Sequence, residues 1–325
     1  MATTDTSGAD SPVQSEGPIR DLRADLTSLA TEARRSDLSG IDRMATEAIV
    51  RTMNAEDATV APAVGAAAGA IAAAVDAIAA RMAAGGRLVY VGAGTAGRLG
   101  VLDASECPPT FNTDPEQVIG LIAGGPAAID SAVEGAEDDE RAAVADLDAL
   151  GLAAEDTVVG VSASGRTPYT VAAVACAAER GALTVGVSSN PGSPLGAAAA
   201  HPIEIDTGPE LLAGSTRLKA GTAQKLVLNT LSTVAMIRMG KTYGNLMVDV
   251  RSSNEKLRAR AHRIVEMATG AGGDEVHRAL SASGGDVKTA ILTILGRVDA
   301  AEAARLLGAC GGRLREAVEA AAPGG

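Results

Sequence analysis

Residues 88–111, "LVYVGAGTAGRLGVLDASECPPTF", decide how the chain folds. A short apolar run ends at Gly92, and Gly92-x-Gly94-x-x-Gly97 follows at once, the spacing of a dinucleotide-binding turn. Such a turn normally opens a long helix and a second strand, whose acidic end about 20 residues on holds a ribose. Here the first acid, Asp103, comes 11 residues after Gly92, and Pro108-Pro109 are expected to stop the helix early. What remains is a strand, a glycine turn and a helix N-terminus carrying Thr95 and Arg98, which suits one small anion better than a dinucleotide.

Outward from this unit, four more short apolar runs recur at 117–124, 157–164, 183–189 and 202–206, with helical patterns between them. Together with 87–92 they predict an α/β fold, a parallel sheet with helices on both faces. Before it, Leu22, Leu26 and Leu29 step at helical intervals, predicting a helix over Asp21–Arg51. The Ala-rich stretch Val60–Val75 continues as a buried helix ending at Gly85-Gly86; it is too short before Asp76 to span a bilayer. After Asn254 short helices return, divided by "TGAGGDE", "SGGD" and "CGGR", with an aspartate expected to cap each start.

Three further stretches carry chemistry. "SASGRTPY", Ser162 to Tyr169, repeats the first design at the end of the third run: small residues, hydroxyls, an arginine, a helix. Ligands of parallel sheets collect outside the carboxyl ends of the strands, so two such loops point to one phosphorylated ligand, with Ser164 and Thr167 donating to it and Arg166 beside them. "GSTRLKAGTAQK", Gly214 to Lys225, places Ser215, Thr216, Arg217 and Lys219 ahead of an apolar helix. Cations are disfavoured at that end of a helix, which predicts a bound anion nearby. Two acids complete the set. Glu106 sits between Ser105 and the Pro-Pro pair, and Glu137 lies in "AVEGAEDDE", where a helical reading puts it on the flank of a stripe made by Ile129, Val133 and Val144. The same periodicity also accommodates Glu140, so pattern alone does not single out Glu137.

Bulk composition closes off other classes. Aromatics make up 1% of the residues, so base stacking on single-stranded nucleic acid is not expected, and a net charge of −12 repels nucleic acid and anionic membrane alike. Three scattered cysteines and three scattered histidines give neither a disulfide framework nor metal-ligand spacing. The first 20 residues are polar and acidic, without the charged and apolar regions of a signal peptide. They are expected to be a disordered tail, and the protein to be cytoplasmic.

Taken together, "LVYVGAGTAGRLGVLDASECPPTF", "GLIAGG", "AVEGAEDD", "SASGRTPY" and the long stretch from Gly214 to Val250 closely resemble the N-acetylmuramic acid 6-phosphate etherases. These are sugar isomerase (SIS) domain proteins related to glucokinase regulatory protein. The resemblance covers about Ser36 to Gly312. It implies a three-layer SIS domain over 78–241, after a tail at 1–20 and a helical segment at 21–77, with a UBA-like helical region over 242–325. It further implies a homodimer that removes D-lactate from C3 of the sugar by elimination and hydration, without metal or redox cofactor. The family's acid/base glutamates fall on Glu106 and Glu137, and its phosphate and substrate positions on Thr95, Gly97, Arg98, Ser105, Ser164, Arg166, Thr167, Ser215, Thr216 and Lys219. Near the site one position departs from the pattern, Ala96, where the family usually has serine; elsewhere Ser189 stands where the family often has cysteine. A non-catalytic sugar-phosphate sensor and an aldose–ketose isomerase share the fold; the acid/base pair favours the etherase over the first, and the residues around Glu106 over the second.

Overall fold

The structure, a computed structural model, describes residues 29–249 and 255–322. The expected tail at 1–20, and Leu22 and Leu26 of the expected first helix, lie outside the described residues.

Each apolar run forms a strand: β1 (Leu88–Gly92), β2 (Val118–Ile122), β3 (Thr157–Val161), β4 (Leu183–Ser188) and β5 (His201–Glu204). All four pairings are parallel, in the order β2-β1-β3-β4-β5. Alternate residues of a strand face opposite sides. Leu88 and Tyr90 accordingly enter one apolar cluster and Val89 and Val91 another. The first cluster is closed by α3 (Ala68–Ala83), α4 (Gly94–Phe111) and α9 (Lys219–Arg238); the second by α6 (Glu140–Leu150), α7 (Pro168–Glu179) and α8 (Pro194–Ala198). Burial on both faces explains why β1, β3 and β4 read as continuous apolar runs.

Several local expectations change. From Leu29 to Ala45 the chain makes three 3-10 turns, and the first α-helix, α1 (Thr46–Asp57), starts only at Thr46. Asp37, Ser39, Gly40 and Asp42 favour turns over helix here. The Ala-rich stretch is two helices, α2 (Val60–Ala66) and α3, and the run Thr46–Ala66 meets α3 at a bend of 61°. Among the described residues no single helix is long and apolar enough to cross a membrane. Pro108 and Pro109 do not stop α4, which continues to Phe111 and ends on Asn112 in the left-handed conformation, its N–H donating to Pro108 O. Each proline takes the i→i−4 donor from a helical carbonyl, Ala104 and Ser105 in turn, and the helix ends two residues after the pair.

Helix α4 lies hard against β1. A Cβ on Gly97 would sit 2.6 Å from the Gly92 carbonyl oxygen, so only glycine permits the approach. Deeper along the helix Asp103, 6% exposed, accepts from Tyr90 OH at 2.7 Å, Asn229 Nδ2 at 2.6 Å and Ser232 Oγ at 3.2 Å. One buried carboxylate thus joins β1, α4 and α9, and it is in no position to hold a ribose.

The remaining helices are α5 (Ala127–Asp130) and a C-terminal group: α10 (Glu255–Thr269), α11 (Gly273–Ala282), α12 (Val287–Gly296), α13 (Ala300–Ala309) and α14 (Leu314–Ala321), around a third apolar cluster. Asp286 and Asp299 cap α12 and α13 as expected, each accepting a backbone N–H. Asp274 instead lies inside the first turn of α11, and α14 starts after Arg313 without a side-chain cap. A two-stranded hairpin, β6 (Thr242–Tyr243) and β7 (Leu246–Met247), precedes Asp249, which pairs with Lys241 and Lys288 and accepts from Asn112 at the end of α4.

The N-terminal segment is held by charge. Glu56 on α1 pairs with Arg35 at 2.5 Å and with Lys219 at 2.9 Å, and the Lys219 side chain is 5% exposed. The Arg35 hydrogen bond, aided by Lys219, holds the Glu56 carboxyl below its usual value near 4.5 despite partial burial. Glu56→Gln leaves Lys219 buried without a counter-charge and is expected to cost about 3 kcal/mol in urea unfolding at pH 7. A carboxyl depressed in the folded state contributes its stability above its unfolded value and loses it as pH falls. The gap between wild type and variant should therefore close below about pH 4.

Candidate functional site

Strand β1 has β2 on one side and β3 on the other, so the chain leaves the carboxyl ends of β1 and β3 in opposite directions. That reversal leaves an opening in which open α/β sheets place ligands. A cavity of 350 Å³ occupies it. The loop after β1 supplies Gly94 and Thr95; the loop after β3 supplies Ser164 and Thr167; Thr216 and Gln224 approach from the start of α9. Glu137 lines this cavity and an adjoining one of 220 Å³. A larger groove of 760 Å³, where α3, the far end of α9, the β6 hairpin and α14 meet, is lined by no residue of the five-stranded sheet.

Gly94, at φ +53°, makes the turn that aims the first N–H groups of α4 at the cavity. The second loop is wired from within. Ser162 Oγ, 3% exposed as a residue, accepts from Gly165 N at 3.1 Å and lies 2.9 Å from Thr167 Oγ1 and 3.4 Å from Ser164 Oγ. Ser162 therefore orients the two hydroxyls without itself having to touch a ligand. Asn190, just past β4, donates to Ala163 O and Thr31 Oγ1 and accepts from Ala30 N. That lashes the N-terminal segment across the loop and brings Glu32 to the cavity wall.

Of the residues expected in the site, Thr95, Glu137, Ser164, Thr167 and Thr216 converge on one cavity. Arg98 lies beside it, its Nε donating to Ile129 O at 2.9 Å while the side chain lines the adjoining cavity. Gly97 acts in packing, as described. Arg166 is exposed, and neither it nor Ser215 lines the cavity. Lys219 is spent on Glu56. The anion expected at the start of α9 is the chain's own: Glu210, 1% exposed, accepts from the Lys219 and Ala220 backbone N–H groups at 3.0 and 2.9 Å. A buried carboxylate already satisfies that helix end, which resolves the misfit of cations there.

The two acids separate. Glu137 is not on a continuous helix: Gly135 at φ +73° breaks the segment, a 3-10 turn carries Ala136–Asp138, and α6 begins at Glu140 with Asp139 as its cap. Ile129 and Val133, expected on one helical stripe with Val144, are exposed and precede the break. Glu106 lies 12 residues along α4 from Gly94, about 18 Å at a helix's rise per residue. Glu106 and Ser105 are exposed there and line neither cavity, with Ser105 Oγ donating to Leu102 O. Neighbouring Cys107 is no nucleophile: burial, then Asp103 and Glu106, push its thiol up to about 12. Sequence pattern missed Glu32, Asn190, Glu210 and Gln224: Asn190 is set by partners some 160 residues away, and Glu210 by the helix start that follows its own loop.

The profile of the glucokinase regulatory protein N-terminal SIS domain matches residues 70–178, and that of the SIS domain matches 141–234. A protein of Streptomyces avermitilis described as N-acetylmuramic acid 6-phosphate etherase is 68% identical over 302 residues, 93% of this chain and 97% of that one. The chain belongs to the N-acetylmuramic acid 6-phosphate etherase family. Relatives so described from Streptomyces coelicolor and Rubrobacter xylanophilus are 66% and 58% identical, over 93% and 87% of this chain and 97% and 94% of theirs.

Within this etherase-family site, Ala96 is 7% exposed and lines the cavity beside Thr95. No lysine or arginine is among the described residues that line it, so an anion there depends on hydroxyls and backbone N–H groups. Ala96→Ser adds one such donor, worth about 1 kcal/mol. The expected outcome is a roughly fivefold lower Kd for a hexosamine 6-phosphate in calorimetric titration.

Proposed function

We propose that this chain cleaves the D-lactyl ether of N-acetylmuramic acid 6-phosphate, giving N-acetylglucosamine 6-phosphate and D-lactate. The observation that supports this most is the meeting of two hydroxyl loops and Glu137 at the β1/β3 opening, in a chain 68% identical to a relative of that description. The phosphate sits against the start of α4 and the hydroxyls of Thr95, Ser164 and Thr167. In the ring-opened sugar the C1 aldehyde acidifies the C2 proton, and a carboxylate removes it. The C3–O bond then breaks, and the leaving lactate oxygen takes a proton from a carboxyl group. Water adds at C3 of the unsaturated aldehyde, and a proton returns to C2, so the net change is one water consumed.

Two carboxyl groups serve these steps, Glu137 and Glu106. Because Glu106 is remote from the cavity of its own chain, it acts in the cavity of a second copy, and the enzyme is a homodimer with two shared sites. No residue of the site is a metal ligand in this scheme, and the protein works in the cytoplasm.

Incubating the purified protein with N-acetylmuramic acid 6-phosphate should release D-lactate, read by a lactate dehydrogenase assay, and Glu137→Gln should lower the rate at least a hundredfold. Tight sugar-phosphate binding with no lactate released would move the chain to the sensor class. Sharing of the site has its own test. Glu106→Gln and Glu137→Gln, each inactive alone, are co-expressed and co-purified. Half of the dimers are then mixed, and each mixed dimer holds one intact site, so about a quarter of wild-type activity returns. No recovery would place both glutamates in one chain's site.

A further inference from the structure

Gln224 lies near the start of α9 and is 2% exposed, and neither its Oε1 nor its Nε2 has a hydrogen-bond partner among the described residues. It lines the cavity at the β1/β3 opening. Three residues before it, Gly221 faces the loop after β1: a Cβ there would be 3.5 Å from Thr95 Cγ2. The same helix face therefore presents Gln224 to the cavity just beyond the anion-binding turn. A buried carboxamide with both ends unpaired is costly, and such a group in a cleft points to a ligand that completes it.

The chemistry of that ligand follows from what a carboxamide requires. Its oxygen accepts hydrogen bonds and its nitrogen donates two. Phosphate and carboxylate oxygens, fully ionised, only accept, so either would leave Oε1 unpaired and set a negative charge beside it. Glu32 and Glu137, the acids on the same wall, likewise offer acceptors alone when ionised. The group that satisfies both ends of Gln224 is neutral and both donates and accepts hydrogen bonds: a secondary amide or a sugar hydroxyl. We infer that Gln224 is a specificity-determining residue that reads the uncharged part of the sugar, its 2-acetamido group or an adjoining hydroxyl, and does not hold the phosphate. This rests on the sugar-phosphate reading of the cavity proposed above.

The test compares wild type with Gln224→Met, which keeps length and volume but removes both polar ends, by calorimetric titration with three probes: N-acetylglucosamine 6-phosphate, glucose 6-phosphate and inorganic phosphate. In the free protein the variant should fold at least as stably as wild type, since an unpaired buried amide is replaced by an apolar group, and thermal unfolding confirms this before titration. The expected result is about a tenfold or greater loss of affinity for sugar phosphate, with inorganic phosphate unchanged. A loss confined to N-acetylglucosamine 6-phosphate assigns the contact to the acetamido group; an equal loss with glucose 6-phosphate assigns it to a hydroxyl both sugars share. Equal weakening of all three probes, or unchanged affinity for the sugar phosphates, overturns the inference. Should wild type bind inorganic phosphate but neither sugar phosphate, the proposed function falls together with this inference.

Discussion

The reversal of strand order between β1 and β3 is the constraint on which the site depends. Parallel strands fed by crossover helices leave a gap only where successive connections go to opposite sides. Here that gap lies between Gly92 and Val161, paired neighbours at the ends of β1 and β3. Everything chemical reaches it from a strand end or from an element packed over one. The gap stays open because α4 starts at once after β1 and sits close to it, which is why Gly94 and Gly97 are where they are. A side chain at Gly97 would push the helix off the strand and move the first turn of α4, which lines the cavity.

Electrostatics sharpen the picture. In a chain of net charge −12, the proposed sugar-phosphate site is a cavity whose described walls carry carboxylates but no lysine or arginine. Three nearby cations are engaged in holding the frame: Lys219 and Arg35 through Glu56, and Arg98 by a bond to the backbone of α5. Even the positive end of α9 is satisfied internally, by Glu210. Recognition by neutral donors depends more on geometry than recognition by mobile charged side chains does, because hydroxyls and N–H groups act only at hydrogen-bond range. The wiring of Ser162, and the lashing of the N-terminal segment by Asn190, are what give that geometry its rigidity.

The sheet was legible in the sequence because its inner strands, β1, β3 and β4, have no polar face to disguise them, and all five runs contain or adjoin a strand. The two loops were legible for a related reason, since hydroxyls and glycines directly after an apolar run have few other uses. Periodicity failed where a single backbone conformation overrode it: Gly135 breaks the segment bearing Glu137, and the turn formers between Asp37 and Asp42 replace a helix. It failed again where a partner lies far along the chain. Nothing local to Lys219 reveals Glu56, 163 residues away, and nothing local to Gln224 reveals that its amide would be left bare. Glu210 is instructive because the sequence argument was sound: an anion was required at the start of α9, and a carboxylate from the preceding loop provided it.

Helix α4 joins these threads. Its first turn faces the cavity, its middle is fixed to β1 and α9 by the buried Asp103, and its last turns carry Glu106 to the surface about 18 Å away. The Asp103 contacts and the Asn112–Asp249 bond leave α4 little freedom to swing Glu106 back toward its own loop, for both ends of the helix are tied. A rigid helix cannot serve one small ligand at both ends, but it can serve two ligands in an assembly that sets the outer half of one α4 over the opening of another chain. In the proposed dimer, anion binding and proton transfer are thus mechanically coupled along one helix yet act on different substrates, and displacing α4 in one copy disturbs both sites.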